Sequence, residues 1–349
     1  MTDPTRPLPS EAETLVNELL DALGVVANRD QLLEMLLTVA KLAGDGADRL
    51  DLKIANAALR EMREGFQVFT PYRKTRKITM FGSARTLPTD PLYAQARDLA
   101  AVMAGHGWST VTGAGPGIMA AGLEGAGRDR SFGINIRLPF EQEANEFIAS
   151  DPKLVSMKYF FTRKLLLIKE SDGYVVLPGG FGTLDEAFEL LTLVQTGKAE
   201  PAPIVLLEIP GDGYWRSWHR FLMEEVAGRG LISPEDHHLY LVTDNVEEAA
   251  GEILTFYRNY HSIRWVGSQL IIRLRVAPSP VELEELNRQF ADLCLSGGIT
   301  ALDGPLPAER REHPELARIV LRFDRMSYAR LRLLIDALNR LPSATASAA

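Results

Sequence analysis

In YVVLPGGFGTLDEAFEL, residues 174–190, a β-rich apolar run stops at Pro178, and Gly179, Gly180, Gly182 and Thr183 precede a helical pattern. That is more glycine than a turn requires, and glycine lets a ligand approach the main chain closely. The first turn of the following helix would present unpaired N–H groups to an anion. Two other runs end in the same manner. MFGSAR (80–85) supplies Gly82, Ser83 and Arg85, and TGAGPGIM (112–119) supplies Gly113, Gly115 and Gly117. Ser83, Arg85 and Thr183 would add two hydroxyls and a guanidinium around a phosphate. Each loop alone also reads as a tight βα turn. The GAGPG stretch lacks the full GxGxxG spacing, and no acidic residue completes a dinucleotide fingerprint. Three such loops at one end of a sheet fit a small phosphorylated ligand better than a dinucleotide.

The acid beyond the third loop has two readings. Thr183 to Glu186 is T-x-x-E, the spacing of a capping box in which the glutamate reaches back to the threonine N–H. Alternatively, Glu186 lies one turn inside a helix whose start holds the phosphate, near the sugar that carries it. Spacing does not choose between them.

These residues need elements to position them. From residue 75 short β-rich runs alternate with helical stretches: KITMF (77–81), STVTG (109–113), SFGINIRL (131–138), LVSMKYF (154–160), GYVVLP (173–178), PIVLLE (203–208) and LYLVT (239–243). Such alternation predicts an α/β fold, a Rossmann-like, doubly wound, mostly parallel sheet with ligands outside its carboxyl edge. Before it, residues 1–74 read as a Pro-rich tail and a helical extension. Leu15, Leu19 and Leu23 form one apolar stripe, and Leu32, Leu33, Leu36 and Leu37 form another after the cap candidates Asn28 and Asp30. Those stripes are expected to cover the next domain or a partner subunit. After the 75–260 domain, residues 261–341 read as a small α+β domain of ferredoxin-like or ACT-like geometry. Its order is βαββα: QLIIRLRV (269–276), a helix over 279–296, GGITAL, ARIVLRF (317–323) and a helix over 327–340. Residues 342–349 read as a disordered tail.

The whole chain narrows the class. At 349 residues with 46% hydrophobic and 24% charged residues it has the composition of an ordinary globular protein. A net charge of −8 disfavours a broad hold on nucleic acid or an anionic membrane. Cys294, the single cysteine, forms no internal disulfide, and the scattered histidines suggest no metal site. His237 and His238 are expected on opposite sides of a strand. The beginning, MTDPTRPLPSEAETL, lacks a basic-then-apolar signal, and charges interrupt every long apolar run, so a cytoplasmic location is expected.

PGGFGTLDE resembles the PGGxGTxxE signature of the LOG (Lonely guy) family, the nucleoside 5′-monophosphate phosphoribohydrolases. FFTRK (160–164) resembles the family's Arg-Lys pair before a helix, and FGSAR and TGAGPGIM resemble its other nucleotide-binding loops. The likeness runs over roughly residues 75–260, with GINIRLPFEQEANEF (133–147) similar to the larger bacterial members. The resemblance implies hydrolysis of the N-glycosidic bond of a nucleoside monophosphate, of cytokinin riboside or AMP type, to free base and ribose 5-phosphate. By motif match Arg163 and Glu186 take the catalytic positions, and Gly179, Gly180, Gly182 and Thr183 hold the 5′-phosphate. A carboxylate there would stabilise an oxocarbenium-like sugar or activate water. Met157, Lys164, Glu141 and Asn145 are candidates for contacts to base or ribose. For Glu141, Gln142 and Asn145 a solvated face is an equal reading, and Lys164 also reads as structural. Phe160 and Phe161 read first as core aromatics and second as a stack for a base. The resemblance implies no metal or organic cofactor, and a homo-oligomer, dimeric or larger. The label "lysine decarboxylase" carried by some relatives finds no identifiable Schiff-base lysine here.

The terminal domain carries one more pattern. Leu270, Ile272 and Leu274 oppose Arg273 and Arg275, and Ile319, Leu321 and Phe323 oppose Arg318 and Arg322. The arginine face is expected to be solvated, or else to bind an anionic effector or a subunit. Two rival functions stand beside the enzyme. One is a non-catalytic nucleotide- or molybdenum-cofactor-binding protein; the other is a regulator in which the terminal domain does the work.

Overall fold

The structure, a computed structural model, describes residues 10–137, 143–310 and 312–346. Two compact units divide the chain, residues 1–63 and 64–349. In the first unit α1 (Ser10–Ala22) and α2 (Arg29–Gly44) pack together. Arg29 ties them, donating to the Asn17 carbonyl at 2.9 Å and pairing with Asp21 at 2.8 Å. Asn28 is the N-cap of α2, but in the left-handed region (φ 52°) and without a side-chain cap bond. The stripe of Leu15, Leu19 and Leu23 is exposed. Helix α3 (Arg49–Phe69) begins in this unit and ends in the next.

The second unit holds two sheets. The larger is formed by β1 (Lys77–Phe81), β2 (Ser109–Thr112), β3 (Ser131–Ile136), β4 (Leu154–Met157), β5 (Gly173–Val176), β6 (Ile204–Leu207) and β7 (Leu241–Thr243). Its order is β4-β3-β2-β1-β5-β6-β7, and every pairing is parallel. The connecting helices are α4 (Pro91–Gly105), α5 (Ile118–Ala126), α6 (Phe160–Lys169), α7 (Phe181–Gln195), α8 (Tyr214–Phe221) and α9 (Val246–Phe256). Strand periodicity decides which helix goes where. In β5, Tyr174 and Val176 pack with Leu166, Leu167, Leu190 and Val194 of α6 and α7. Val175 joins Leu99, Met103, Ile118 and Ile253 of α4, α5 and α9 on the other face. Both faces are therefore covered, which is why the strands read as continuous apolar runs.

The smaller sheet is antiparallel, in the order β10-β11-β9-β8, from β8 (Tyr260–Val266), β9 (Gln269–Leu274), β10 (Thr300–Leu302) and β11 (Ala317–Leu321). Helices α10 (Pro280–Gln289) and α11 (Tyr328–Arg340) accompany it. The expected βαββα order is present from β9 onward, with the ferredoxin-like neighbours β9, β11 and β10. The place beside β9 is taken by β8, which the sequence pattern did not reveal. Its segment YHSIRWV mixes polar and apolar residues without clean alternation, and its burial is mostly intermediate. The end of the chain is less loose than expected, since Pro342–Ala346 form a short helix, α12, with Ala344 buried.

The arginine face of this sheet divides: Arg275 and Arg322 are exposed, as a solvated face requires, whereas the other two arginines differ from both readings. Arg273 and Arg318 are directly paired across β9 and β11, yet they are 4% and 1% exposed. Two guanidiniums side by side in the interior would repel, and Glu309, also fully buried, lies between them. Its carboxylate accepts from Arg273 at 2.7 and 2.9 Å, from Arg318 at 3.2 Å and from the Leu306 N–H at 2.9 Å. Burial alone would raise the Glu309 pKa, but Arg273, the Leu306 amide and Arg318 outweigh it and hold the group below its ordinary value. The anion on this face is thus the chain's own. Alternation identified the face correctly but carried no information about the loop folding over it. Glu309→Gln is expected to cost about 3 kcal/mol at neutral pH, because it leaves two buried cations short of a counter-charge. Urea unfolding checks this, and the deficit shrinks below about pH 4, where the unfolded carboxylate is itself protonated.

Candidate active site

Strand order reverses between β1 and β5, and the three glycine loops meet there at the carboxyl edge. The Ser83 N–H donates to the Pro178 carbonyl at 3.3 Å, and the Ile118 N–H donates to the Ser83 carbonyl at 3.0 Å. The loops enclose a cleft of about 710 Å³ whose lining includes Gly82, Ser83, Arg85, Gly113, Gly115, Arg163, Gly180, Gly182, Thr183 and Glu186.

The glycines fall into two groups. A side chain at Gly82 would collide with Ile118, one at Gly115 with Met119, and one at Gly179 with the Thr183 hydroxyl at 2.2 Å. Gly117 has φ +66°, and a Cβ there would sit 2.3 Å from the Ser83 carbonyl oxygen. At Gly113 the obstacle is Arg163, whose guanidinium would lie 1.9 Å from an added Cβ. At Gly82, Gly117 and Gly179 the protein itself crowds the backbone, whereas at Gly113 and Gly115 only the movable ends of Arg163 and Met119 do. Gly180 and Gly182 have nothing within 4 Å and face open space. Those two account for the excess in the PGGFGT stretch.

Helix α7 starts at Phe181 with Gly180 as its N-cap, and the Leu184 N–H bonds the Gly180 carbonyl at 3.1 Å. Thr183 is therefore the third helical residue, not the cap, and the capping-box reading of Glu186 does not hold. The Glu186 carboxylate meets Arg163 instead, at 3.4 Å. Arg163 is 8% exposed and donates through Nε to the Ile134 carbonyl on β3 at 2.9 Å. Burial lowers its pKa, and Glu186 works against that change. Burial pushes Glu186 up from its ordinary 4.5 to about 7, with Arg163 pulling the other way. The contact is at the loose end of hydrogen-bond range, so neither group fully neutralises the other. A carboxylate poised near neutrality in a cleft is suited to taking and returning a proton.

The remaining expected residues are distributed differently. Lys164 pairs with Asp185 at 3.1 Å and with Glu189 and is absent from the cleft lining. Met157, the last residue of β4, is fully buried in the core. Asn145 donates to the Gly115 carbonyl at 2.8 Å while its own N–H bonds Ala114 O, so it braces the second loop. Glu141 and Gln142 lie outside the described residues. Phe160 and Phe161 are both more than half exposed, not core; Phe160 lines the cleft and Phe161 stacks on Tyr159. His237 and His238 sit in a short turn, Pro234–Leu239, with ring centroids 3.9 Å apart, not on a strand. Sequence reasoning missed Asn135 and Met119, which also line the cleft. Asn135 was detectable as a polar residue in the otherwise apolar FGINI run.

A family model described as "Possible lysine decarboxylase" matches residues 116–253. Over 169 residues the chain is 31% identical to the cytokinin riboside 5′-monophosphate phosphoribohydrolase of Mycobacterium tuberculosis, covering 46% of this chain and 86% of that protein. The chain belongs to the LOG family.

The plant members are matched over shorter stretches. Cytokinin riboside 5′-monophosphate phosphoribohydrolase LOG1 of Arabidopsis thaliana is 30% identical over 29% of this chain and 46% of its own length. Among solved structures, the molybdenum cofactor carrier protein of Chlamydomonas reinhardtii aligns with 22% identity and a TM-score of 0.36, over 51% of this chain and 94% of that one. The site of this LOG-family chain does not suit the chemistry in the family model's description. Its cleft is lined by arginines and a glutamate, and among the described residues no lysine lines it to form a Schiff base. No helix among the described residues is long and apolar enough to cross a membrane.

Proposed function

We propose that this chain hydrolyses the N-glycosidic bond of nucleoside 5′-monophosphates, releasing free base and ribose 5-phosphate. One observation carries the reading: a carboxylate held near pH 7 beside a buried arginine, in the same cleft as an open, glycine-lined helix start. The 5′-phosphate would sit at Gly180–Thr183, where unpaired amides and the α7 dipole favour negative charge. Ser83 and Arg85 line the same cleft. The ribose then extends toward Glu186, about one turn further along the helix. As water bonds to C1′ and the C1′–N bond breaks, the electron pair leaves with the base and the water proton passes to Glu186; the base then takes a proton from solvent and Glu186 returns its own, restoring the carboxylate. The same carboxylate offsets the positive charge that develops on the ring. Arg163 keeps Glu186 ionised often enough to act as base. Phe160, Met119 and Asn135 offer apolar and amide surface for the base. We also place the protein in a homo-oligomer, since Phe161, Leu165, Phe188 and Phe221 are exposed on its helices.

The test is a panel of AMP, GMP, pyrimidine and cytokinin-type nucleoside monophosphates, assayed for ribose 5-phosphate. Release from at least one is expected; release from none overturns the reading. Gly182→Ala gives a sharper result. The added methyl meets no protein atom and improves helix propensity, so thermal stability should be equal or higher. It does intrude where the phosphate would lie, so affinity for the monophosphate should fall by about tenfold or more. An unchanged KM would place the phosphate elsewhere.

A further inference from the structure

Tyr214 lies outside the cleft, on the first residue of α8, yet its hydroxyl donates to the Gly179 carbonyl at 2.7 Å. Across a trans peptide the carbonyl and the next N–H point in opposite directions. Holding Gly179 O from outside therefore aims the Gly180 N–H away from Tyr214, and Gly180 lines the cleft. We propose that Tyr214 is a positioning residue for phosphate binding, fixing the 179–180 peptide so that its amide faces the anion; this rests on the proposed function.

The anchorage of Tyr214 is built from the neighbouring strand. Helix α8 has Gly213 as its N-cap, in the left-handed region (φ 71°), with no side-chain cap. Glu208, at the end of β6 and fully buried, takes that place, accepting from the Trp215 N–H at 2.6 Å. Arg216 pairs with the same carboxylate at 2.9 Å and with Asp244 at 2.6 Å. A negative side chain at a helix start is favoured by the dipole. The Tyr214 ring packs edge-on against Trp215, with centroids 4.9 Å apart. A rigid strand end thus fixes a short helix, the helix fixes a hydroxyl, and the hydroxyl fixes one glycine peptide. A side chain at Gly180 would meet nothing, so packing holds that peptide only on its Gly179 side, and the Tyr214 hydroxyl adds the hold on its carbonyl.

Tyr214→Phe keeps the ring and removes the bond. Titration of the full-length protein with ribose 5-phosphate and with inorganic phosphate should show both binding about five- to tenfold more weakly. KM for the monophosphate should rise by a similar factor while kcat changes less. The control is Tyr240→Phe, which removes a hydroxyl bonded to His219 in the same aromatic cluster without touching the loop. It should leave both affinities within about twofold of wild type. Equal binding by Tyr214→Phe and wild type overturns the proposal, as does equal weakening by Tyr240→Phe. Wild-type protein that binds neither probe would instead sink the reading of the site, and this inference with it.

Discussion

Glu186→Gln is expected to lower kcat by about a thousandfold and to make the protein more stable above pH 8. The two effects have one cause. In the folded chain Glu186 titrates near 7 instead of 4.5, because burial penalises its charged form more than Arg163 rewards it. Below pH 4.5 it is neutral in both folded and unfolded chains, and folding gains or loses nothing from it. As pH rises toward 7 the unfolded chain ionises first, so stability falls, reaching a deficit of about 3 kcal/mol once the folded group is also charged. Glutamine cannot ionise and escapes that deficit. Urea titrations of both proteins should coincide near pH 4.5 and diverge toward pH 8, with the variant higher. In parallel, kcat/KM of the wild type should rise along a limb near pH 7 as Glu186 loses its proton, and the variant should show no limb. A variant that is active and less stable at pH 8 would make Glu186 an ordinary helix residue.

Arg163→Ala moves the same titration in the opposite sense from a useful one. Without the guanidinium at 3.4 Å, burial acts on Glu186 against the weaker pull of Lys164 alone, and its pKa rises further. At pH 7 the base is then mostly protonated, and kcat/KM should fall by about a hundredfold or more. The limb moves to higher pH, so part of the activity should return near pH 9. That recovery separates loss of charge tuning from collapse of the loop over Gly113, which the arginine currently fills. Stability should fall mainly at alkaline pH, by about 3 kcal/mol, since only there is the carboxylate left buried and unpaired. The Arg163→Ala and Glu186→Gln effects on rate should not add, because both act through one proton. A wild-type limb retained in Arg163→Ala would show that the pair does not function as a unit.

Much of this was legible in the residues. The parallel sheet followed from apolar runs separated by helical stretches, because strands buried on both faces leave that pattern. The cleft followed from three glycine loops at the carboxyl ends of β1, β2 and β5. What each glycine is for was not legible. Gly113 accommodates Arg163, a residue fifty positions away in sequence, and no local pattern encodes that distance. The T-x-x-E spacing was misleading because α7 begins two residues earlier than Thr183, at Phe181, a start set by the open Gly180 rather than by a hydroxyl cap. Glu309 was invisible for a related reason. Alternation reports which face a side chain takes, but a loop that closes over the face leaves no period. Tyr214 carried no signal, since its role exists only once β6 and the PGG loop are neighbours.

The seam between the two sheets has its own consequence. The Asn339 side chain accepts from the backbone N–H groups of Asn259 and Tyr260 at 2.8 and 2.9 Å and donates to the Phe256 carbonyl at 2.7 Å. Asn259 answers by donating to Leu338 O at 3.0 Å and accepting from the Val276 N–H at 2.9 Å, and both asparagines are 1% exposed. Two amides that each complete the other's surroundings in a dry interior cannot drift independently, because a lone change strands several main-chain groups. The small sheet is thus a poor cassette. A graft of it onto another member of the family would succeed only if both halves of this amide lock travelled together.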